Sequence, residues 1–191
     1  YMHGTSPSIY KPVLKAFTLG GNAAAYGAST DTGAGWVYKA DNGFAVSSNI
    51  GTKSGSTQKD ADGKYIPSGL LTDESKTSWA TQVGLTKDQW AVSGIVNLKY
   101  NGWSDSYFTA GSAQTGNTTN YGLRAWWRPA ETGTATPQVT IGYDYTNIAD
   151  VADSVDSTDA YFVGLNWLDI FSPDDRIGLA FGQPQTREDN T

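Results

Sequence analysis

The feature that most constrains the fold of this chain is an alternation of apolar and polar residues in segments of about ten residues. In residues 77–86, every second position from Trp79 to Leu85 falls on one largely apolar face, and small or polar residues fill the positions between them. Because strand side chains alternate with period two, such a segment predicts a strand with one apolar and one polar face. Similar segments recur along the chain, and Ile95 breaks the alternation in one of them. They predict eight strands at about residues 33–41, 43–52, 77–86, 90–100, 121–128, 139–145, 161–167 and 176–181.

The connections between these segments alternate strictly between short and long. The short ones centre on residues 42–43, 87–88, 129–136 and 169–174, and the long ones run over residues 53–76, 102–120 and 147–157. The triplet Asp41-Asn42-Gly43 supplies the positive φ that a tight hairpin needs. Only the 129–136 connection is longer than a tight turn requires. Tight turns at one end and long loops at the other are typical of membrane barrels, so the predicted fold is an all-β, antiparallel transmembrane β-barrel.

Aromatic residues on the apolar face gather towards both ends of the predicted strands. Trp and Tyr favour the boundary between membrane and water, so two such groups predict interfacial girdles. The alternative is that they are ordinary strand aromatics, because these residues favour strands in any setting. The predicted girdle near the short turns comprises Tyr38, Phe44, Trp90, Trp127 and Trp167, and the one near the long loops comprises Trp79, Tyr100, Tyr121, Tyr145 and Tyr161.

Composition excludes several other classes of protein. No apolar run approaches the ~20 residues that a membrane-spanning helix needs. The chain has no cysteine, which rules out disulfides and thiolate metal sites, and its net charge of −6 argues against nucleic acid as a partner. The 191 residues suit a single barrel domain.

The number of strands indicates an incomplete barrel. Eight strands enclose an interior that their own side chains fill, whereas diffusion channels use roughly 16 to 18. The polar residues 185–191 are expected to end the chain without a strand, and the first residue is Tyr1 rather than Met. We therefore expect residues 1–191 to be part of a larger barrel of about 16 strands, either processed or a piece of a longer protein.

Four stretches carry a resemblance to a known family. They are residues 33–50 (GAGWVYKADNGFAVSSNI), 69–84 (GLLTDESKTSWATQVG), 126–131 (WWRPAE) and 161–185 (YFVGLNWLDIFSPDDRIGLAFGQPQ). In their order along the chain they resemble the cyanobacterial outer-membrane porins called iron-uptake porins, which are related to the carbohydrate-selective OprB-type porins. The resemblance covers most of the chain after about Leu19.

This resemblance implies a location in the outer membrane of a Gram-negative-type, cyanobacterial cell. It also implies a passive diffusion channel for inorganic ions and small hydrophilic solutes, with iron and carbohydrate as candidates, and commonly a homotrimer. Members of the family bind peptidoglycan through an S-layer-homology domain, which these 191 residues do not contain. Outer-membrane lipid and the transported solutes are therefore the partners that the resemblance implies.

No catalytic site is predicted, and no cofactor or metal. The only histidine, His3, lies in a polar terminal stretch, and no nucleophile elbow, phosphate loop or HExxH pattern is present. The run Asp60-Ala61-Asp62-Gly63 is similar to the start of a calcium loop, but Lys64 stands where a further oxygen ligand belongs. Four aspartates, at 150, 153, 156 and 159, either attract cations or form a solvated acidic loop, and the second interpretation is preferred.

The polar faces of the strands carry the candidate pore-lining residues. If the apolar face meets lipid, these charged side chains point into the lumen, five cationic and one anionic. Rings of basic residues favour anions, whereas an iron-uptake role suggests cations, so the selectivity stays open. Pairing of these charges for structure alone is an equal alternative. The candidates are Lys39, Lys99, Arg124, Arg128, Asp144 and Arg176.

Two other classes of protein remain as alternatives. A secreted β-sandwich that binds carbohydrate through exposed tryptophans would share the alternation and the aromatics. A non-conducting outer-membrane anchor or adhesion barrel would be complete with eight strands and would pass no current.

Overall fold

The computed structural model describes residues 32–52, 59, 61–65, 72, 75–101, 117–149 and 155–189. In these residues the chain forms one eight-stranded antiparallel sheet, in which each strand pairs with its neighbours in the sequence. The strands are β1 (Thr32–Lys39), β2 (Phe44–Thr52), β3 (Thr77–Thr86), β4 (Trp90–Tyr100), β5 (Asn117–Trp127), β6 (Gln138–Ala149), β7 (Val155–Leu168) and β8 (Arg176–Asp189). The prediction of an all-β, antiparallel, eight-stranded chain is therefore confirmed.

The sheet is not closed. Strands β1 and β8 are its two edges, and each pairs on one side only within the described part of the chain. Edge strands present unpaired N–H and C=O groups that can accept a further strand. The described residues contain no helix long and apolar enough to cross a membrane.

Tight turns set the register at the short-connection end. Gly43 has φ +89°, and its N–H donates to the carbonyl of Ala40 at 3.1 Å. The Gly43 carbonyl accepts from the N–H of Thr86 at 2.9 Å. A Cβ at position 43 would lie 1.9 Å from the Thr86 carbonyl oxygen, so only glycine fits there. The Asn42-Gly43 turn was predicted from the sequence, and the structure places it next to the turn that follows β3.

Strands β5 to β8 are longer than predicted, and all four extend at the long-loop end. The expectation that residues 185–191 hold no strand is wrong, because β8 continues to Asp189 and pairs with the first residues of β7. Strand pairing is made by hydrogen bonds between backbone groups, so polar side chains do not prevent it. The register of β7 and β8 shifts between Asp159 and Tyr161, opposite the segment that contains Pro184. Proline has no N–H to donate, which is why it is found at such irregularities.

A conventional hydrophobic core is missing from the described residues. The apolar cluster there consists of Ala80 and Ile95 alone. Ile95, which interrupts the alternation in the sequence, is therefore on the buried face. What lies on the two faces of the sheet decides what the protein can do.

Candidate functional site

The two faces of the sheet are inverted relative to a water-soluble protein. The buried face is mainly polar, and its polar or charged residues are Ser47, Asn49, Ser78, Gln82, Ser93, Asn97, Lys99, Thr118, Asn120, Arg124, Thr140, Asp144, Thr146, Thr158 and Asn166. The opposite face exposes large apolar side chains, among them Trp36, Tyr38, Phe44, Trp79, Val83, Trp90, Val92, Val96, Tyr100, Tyr121, Leu123, Trp127, Ile141, Tyr143, Val163, Ile177, Leu179 and Phe181. Soluble monomers rarely expose a contiguous apolar surface of this extent.

An ion pair lies near the centre of the polar face. Arg124 Nη2 donates to Asp144 Oδ2 at 2.7 Å, and both side chains are almost fully buried. Arg124 Nη1 donates to the carbonyl oxygens of Leu123 and Tyr143, and its guanidinium lies 5.3 Å from the centre of the Phe162 ring. These contacts fix the guanidinium, so its charge is largely compensated within the wall.

Small residues surround this arginine along one row of the sheet. The row follows the register Ala45, Gly84, Ser93, Arg124, Gly142, Phe162 and Gly182 across seven strands, and Lys39 begins it on β1. Because Gly142 has no side chain, the ring of Phe162 and the Cδ of Arg124 can pack directly over it. The alternation in the sequence predicted the face of Arg124 but gave no sign of its aromatic neighbour.

A ladder of amide and hydroxyl groups crosses the next part of the polar face. Ser78 Oγ donates to Asn97 Oδ1 at 2.8 Å, Asn120 Nδ2 donates to the Asn97 carbonyl at 3.0 Å, and Thr146 Oγ1 donates to Asn120 Oδ1 at 2.8 Å. All four side chains are buried. Mutually satisfied groups of this kind rigidify a buried polar surface. No motif in the sequence marks these residues, although they share the phase of Lys99 along their strands.

Other buried polar atoms on the same face have no hydrogen-bond partner among the described residues. They are both side-chain atoms of Asn49, the hydroxyls of Ser93 and Thr140, and Oδ1 of Asp144. A buried polar atom left unpaired costs roughly 1–3 kcal/mol, so native proteins usually supply a partner or water. These atoms therefore need partners beyond the hydrogen bonds that the described residues make.

The predicted pore-lining residues divide into two groups. Lys99, Arg124 and Asp144 are buried on the polar face, Lys99 towards the long loops and the other two near the middle of their strands. Lys39, Arg128 and Arg176 are exposed at the short-turn end. The structure thus brings together only Arg124 and Asp144 in direct contact.

The predicted girdle residues lie on the apolar face, most of them towards the strand ends. Tyr121 and Tyr145 stack across β5 and β6 with ring centres 6.4 Å apart. Trp79 Nε1 donates to Ser48 Oγ, and Trp167 Nε1 donates to the Ala135 carbonyl, both at 2.9 Å. Tyr121 and Tyr161 instead lie near the middle of their strands, because β5 begins at Asn117 and β7 at Val155, earlier than predicted.

Several sequence candidates lie outside the described residues. These are His3, Asp60, Asp150 and Asp153, together with part of each long loop. Asp159 belongs to β7, where its Oδ1 accepts a hydrogen bond from Thr186 Oγ1 at 2.9 Å. Within the described residues no cluster of three or more histidine, aspartate or glutamate side chains is placed to hold a metal ion.

The short-turn end is built from two connected loops. In residues 169–175, the Asp175 carboxylate accepts the N–H groups of Ile170, Phe171 and Ser172 at 2.8–3.0 Å. A hydrogen bond from the Thr132 side chain, followed by one from the backbone N–H of Asp174, lowers the pKa of Asp169 below its ordinary value. The N–H of Gly133 donates to the Leu168 carbonyl at 2.9 Å, which attaches the loop at residues 129–136 to the turn between β7 and β8.

Comparison with family models, with curated proteins and with solved structures gave no match to this chain.

Proposed function

We propose that this chain forms part of the wall of an outer-membrane porin, through which inorganic ions and small hydrophilic solutes, iron or carbohydrate among them, diffuse passively. The observation that carries the proposal is the inversion of the two faces, with apolar side chains outward and polar side chains buried. In an outer-membrane barrel the lipid-facing side is apolar and the interior polar.

The size of the apolar face supports a lipid environment. The eighteen large apolar side chains named above are between 37% and 67% exposed. Taking aromatic side chains at about 150–250 Å², we arrive at an exposed apolar area on the order of 1,500 Å². At about 25 cal/mol per Å², removing that area from water is worth roughly 35–40 kcal/mol, far more than the stability of a typical domain. Water is therefore an unfavourable solvent for this face.

The polar face supports a hydrated lumen. Water in a channel would supply partners for Asn49, Ser93 and Thr140, whose polar atoms otherwise lack them. A channel wall also needs no hydrophobic core, which agrees with the two-residue apolar cluster. The open edges of β1 and β8 are where further strands of a barrel of about 16 would pair, and pairing there would remove the exposed ladder groups.

Charge at the lumen then comes mainly from the short-turn end. Arg124 and Asp144 compensate each other, whereas Lys39, Arg128 and Arg176 are exposed there. The carboxylates of Asp88 and Glu131 lie at the same end as these cations, so this part of the wall is expected to select only weakly between anions and cations. A homotrimer, contact with outer-membrane lipid, and peptidoglycan binding through a separate domain belong to the same proposal.

The absence of cysteine allows a sharp test, because any introduced cysteine is unique. Ser93 is buried on the polar face and its neighbour Val92 is exposed on the apolar face of the same strand. In planar bilayers, an anionic, water-soluble methanethiosulfonate should reduce the current through Ser93→Cys and leave Val92→Cys unchanged. Both variants should conduct like the unmodified protein before the reagent is added.

Each other outcome favours a different function. A folded, inserted protein without current would refute the porin proposal and favour the anchor barrel. A protein that stays monomeric and soluble without detergent would favour the secreted β-sandwich. Modification of the Val92→Cys variant together with protection of the Ser93→Cys variant would reverse the assignment of the faces.

A further inference from the structure

A pocket lies at the short-turn end of the polar face. It has a volume of about 450 Å³ and lies between the turn after β3, the loop at residues 129–136 and the ends of β6 and β7. This volume is within the range of roughly 300–1,000 Å³ that is usual for small-molecule sites. The 129–136 connection, which is longer than a tight turn requires, forms one side of this pocket.

The wall of the pocket is held in place by two contacts. The N–H of Gly133 donates to the Leu168 carbonyl at 2.9 Å, and Trp167 Nε1 donates to the Ala135 carbonyl at 2.9 Å. A preformed wall lowers the entropic cost of binding a ligand.

The floor offers amide groups. Gln138 of β6 is paired in register with Asn166 of β7, and both line the pocket. Asn166 is only 5% exposed, and among the described residues its side chain has no hydrogen-bond partner. A buried amide facing a pocket, with both a donor and an acceptor available, complements a ligand that carries peptide or carboxyl groups.

Charges of both signs complete the lining. Arg128 Nε donates to the Asp88 carbonyl at 2.8 Å, and the guanidinium lies 5.5 Å from the centre of the Trp126 ring. These two contacts orient Arg128, and among the described residues the Nε bond is its one side-chain hydrogen bond, so Nη1 and Nη2 remain for a ligand. Glu131 and Asp88 supply carboxylates to the same pocket.

We propose that this pocket binds a small zwitterionic solute, a dipeptide, at the mouth of the channel. Arg128 binds the carboxylate through its two terminal nitrogens, Glu131 binds the ammonium group, and Asn166 with Gln138 binds the peptide group. The inference deepens the proposed function, since the pocket lies on the face that the proposal assigns to the lumen. A solute that must pass on is bound weakly, with a Kd of about 1 mM.

Equilibrium dialysis of the full chain in detergent micelles against radiolabelled dialanine tests the proposal. We expect saturable binding of one dialanine per chain. N-acetyl-dialanine, which lacks the ammonium group, and dialanine amide, which lacks the carboxylate, should each compete at least ~10-fold more weakly, as expected for the loss of a charge-assisted hydrogen bond. These ligands test the site without altering the protein.

Variants assign the two charges. Arg128→Gln should weaken dialanine binding ~10-fold or more and leave the affinity for dialanine amide nearly unchanged, because that ligand has no carboxylate to lose. Glu131→Gln should likewise weaken dialanine binding ~10-fold or more and leave the affinity for N-acetyl-dialanine, which has no ammonium group, nearly unchanged. The matched controls are Lys87→Gln and Asp41→Asn, which remove one charge of each sign from exposed turns at the same end but outside the pocket. They should bind dialanine like the unmodified protein.

Several results would overturn the inference. No saturable binding, equal competition by the capped dipeptides, or equal loss in the control variants would each do so. Competition by inorganic phosphate as effective as that by dialanine would show a simple anion site instead. Conductance without dialanine binding would refute this inference alone, and dialanine binding by a non-conducting protein would refute the proposed function alone.

Discussion

Gly142 leaves the space that Phe162 occupies, and replacing it with alanine tests the packing around the ion pair. A Cβ at position 142 would lie 2.1 Å from Cε1 and 2.5 Å from Cζ of Phe162, and 3.0 Å from Cδ of Arg124. The ring is only 4% exposed and has the Arg124 guanidinium over its face. It cannot turn aside without displacing the partner of Asp144.

The expected cost follows from two opposing effects. Overpacking of a well-packed site costs typically 1–3 kcal/mol, and replacing a glycine within a strand by alanine returns roughly 0.5–1 kcal/mol of backbone entropy. Gly142→Ala should therefore destabilise the protein by about 0.5–2 kcal/mol. Gly164 of β7 is the matched control, because a Cβ there would meet nothing closer than 3.9 Å. Gly164→Ala should be neutral or stabilising by up to about 1 kcal/mol.

Urea unfolding of protein reconstituted into lipid vesicles, followed by tryptophan fluorescence, measures the difference. The double variant Gly142→Ala/Phe162→Leu separates steric conflict from backbone effects, because removal of the ring should make the alanine at 142 less costly than it is beside Phe162. Equal unfolding midpoints for Gly142→Ala and Gly164→Ala would refute the reasoning. So would a double variant whose change in the free energy of unfolding equals the sum of the changes in Gly142→Ala and Phe162→Leu.

Three further predictions concern the ion pair, the first turn and the connected loops. Asp144→Ala should lower stability by about 3–5 kcal/mol, measured by the same unfolding assay, because it removes the carboxylate that compensates the buried Arg124; a loss below about 1 kcal/mol would contradict this. Gly43→Ala should slow or prevent assembly of the sheet, seen as loss of heat-modifiable migration in gels, because its Cβ would meet the Thr86 carbonyl oxygen. Because the Thr132 hydrogen bond lowers the pKa of Asp169, the contact is at full strength above pH 3.8 and is lost as the pH falls through that lowered pKa. Thr132→Val should return the pKa towards 3.8 in a carboxyl NMR titration, and an unchanged titration would contradict the assignment.

The fold was largely readable from the sequence, because period-two alternation reports directly on which side of a strand each residue lies. All eight strands lie where the alternation placed them, and Asn42-Gly43 marks the first hairpin as its turn chemistry predicted. The ends of β5 to β8 were harder to predict from the sequence. Their outer residues are mostly polar on both faces, and Ile148 of β6 lies on the polar face, so alternation is lost there although the backbone ladder continues to Asp189.

The candidate site was only partly readable. The phase of β4 to β6 predicted that Lys99, Arg124 and Asp144 share one face, and they do. The contact between Arg124 and Asp144 depends on the register of β5 against β6, in which Asp144 is opposite Gly122 and diagonal to Arg124. Register over long distances is not encoded in any short pattern. The pocket beside Arg128 was missed for the same reason, because residues far apart in the chain line it.

The most direct test of the account is the environment of each face along β4. Residues 91–98 are replaced one at a time by cysteine, labelled with a nitroxide and studied in vesicle-reconstituted protein. Accessibility of the label to oxygen measures exposure to lipid, and accessibility to a nickel chelate measures exposure to water. We expect oxygen accessibility to peak at Val92, Val96 and Leu98, and nickel accessibility to peak at Ala91, Ser93 and Asn97. Uniform nickel accessibility with no alternation, or oxygen maxima on the polar face, would contradict the assignment of the apolar face to lipid. Either result would also contradict the proposal that the protein is a porin.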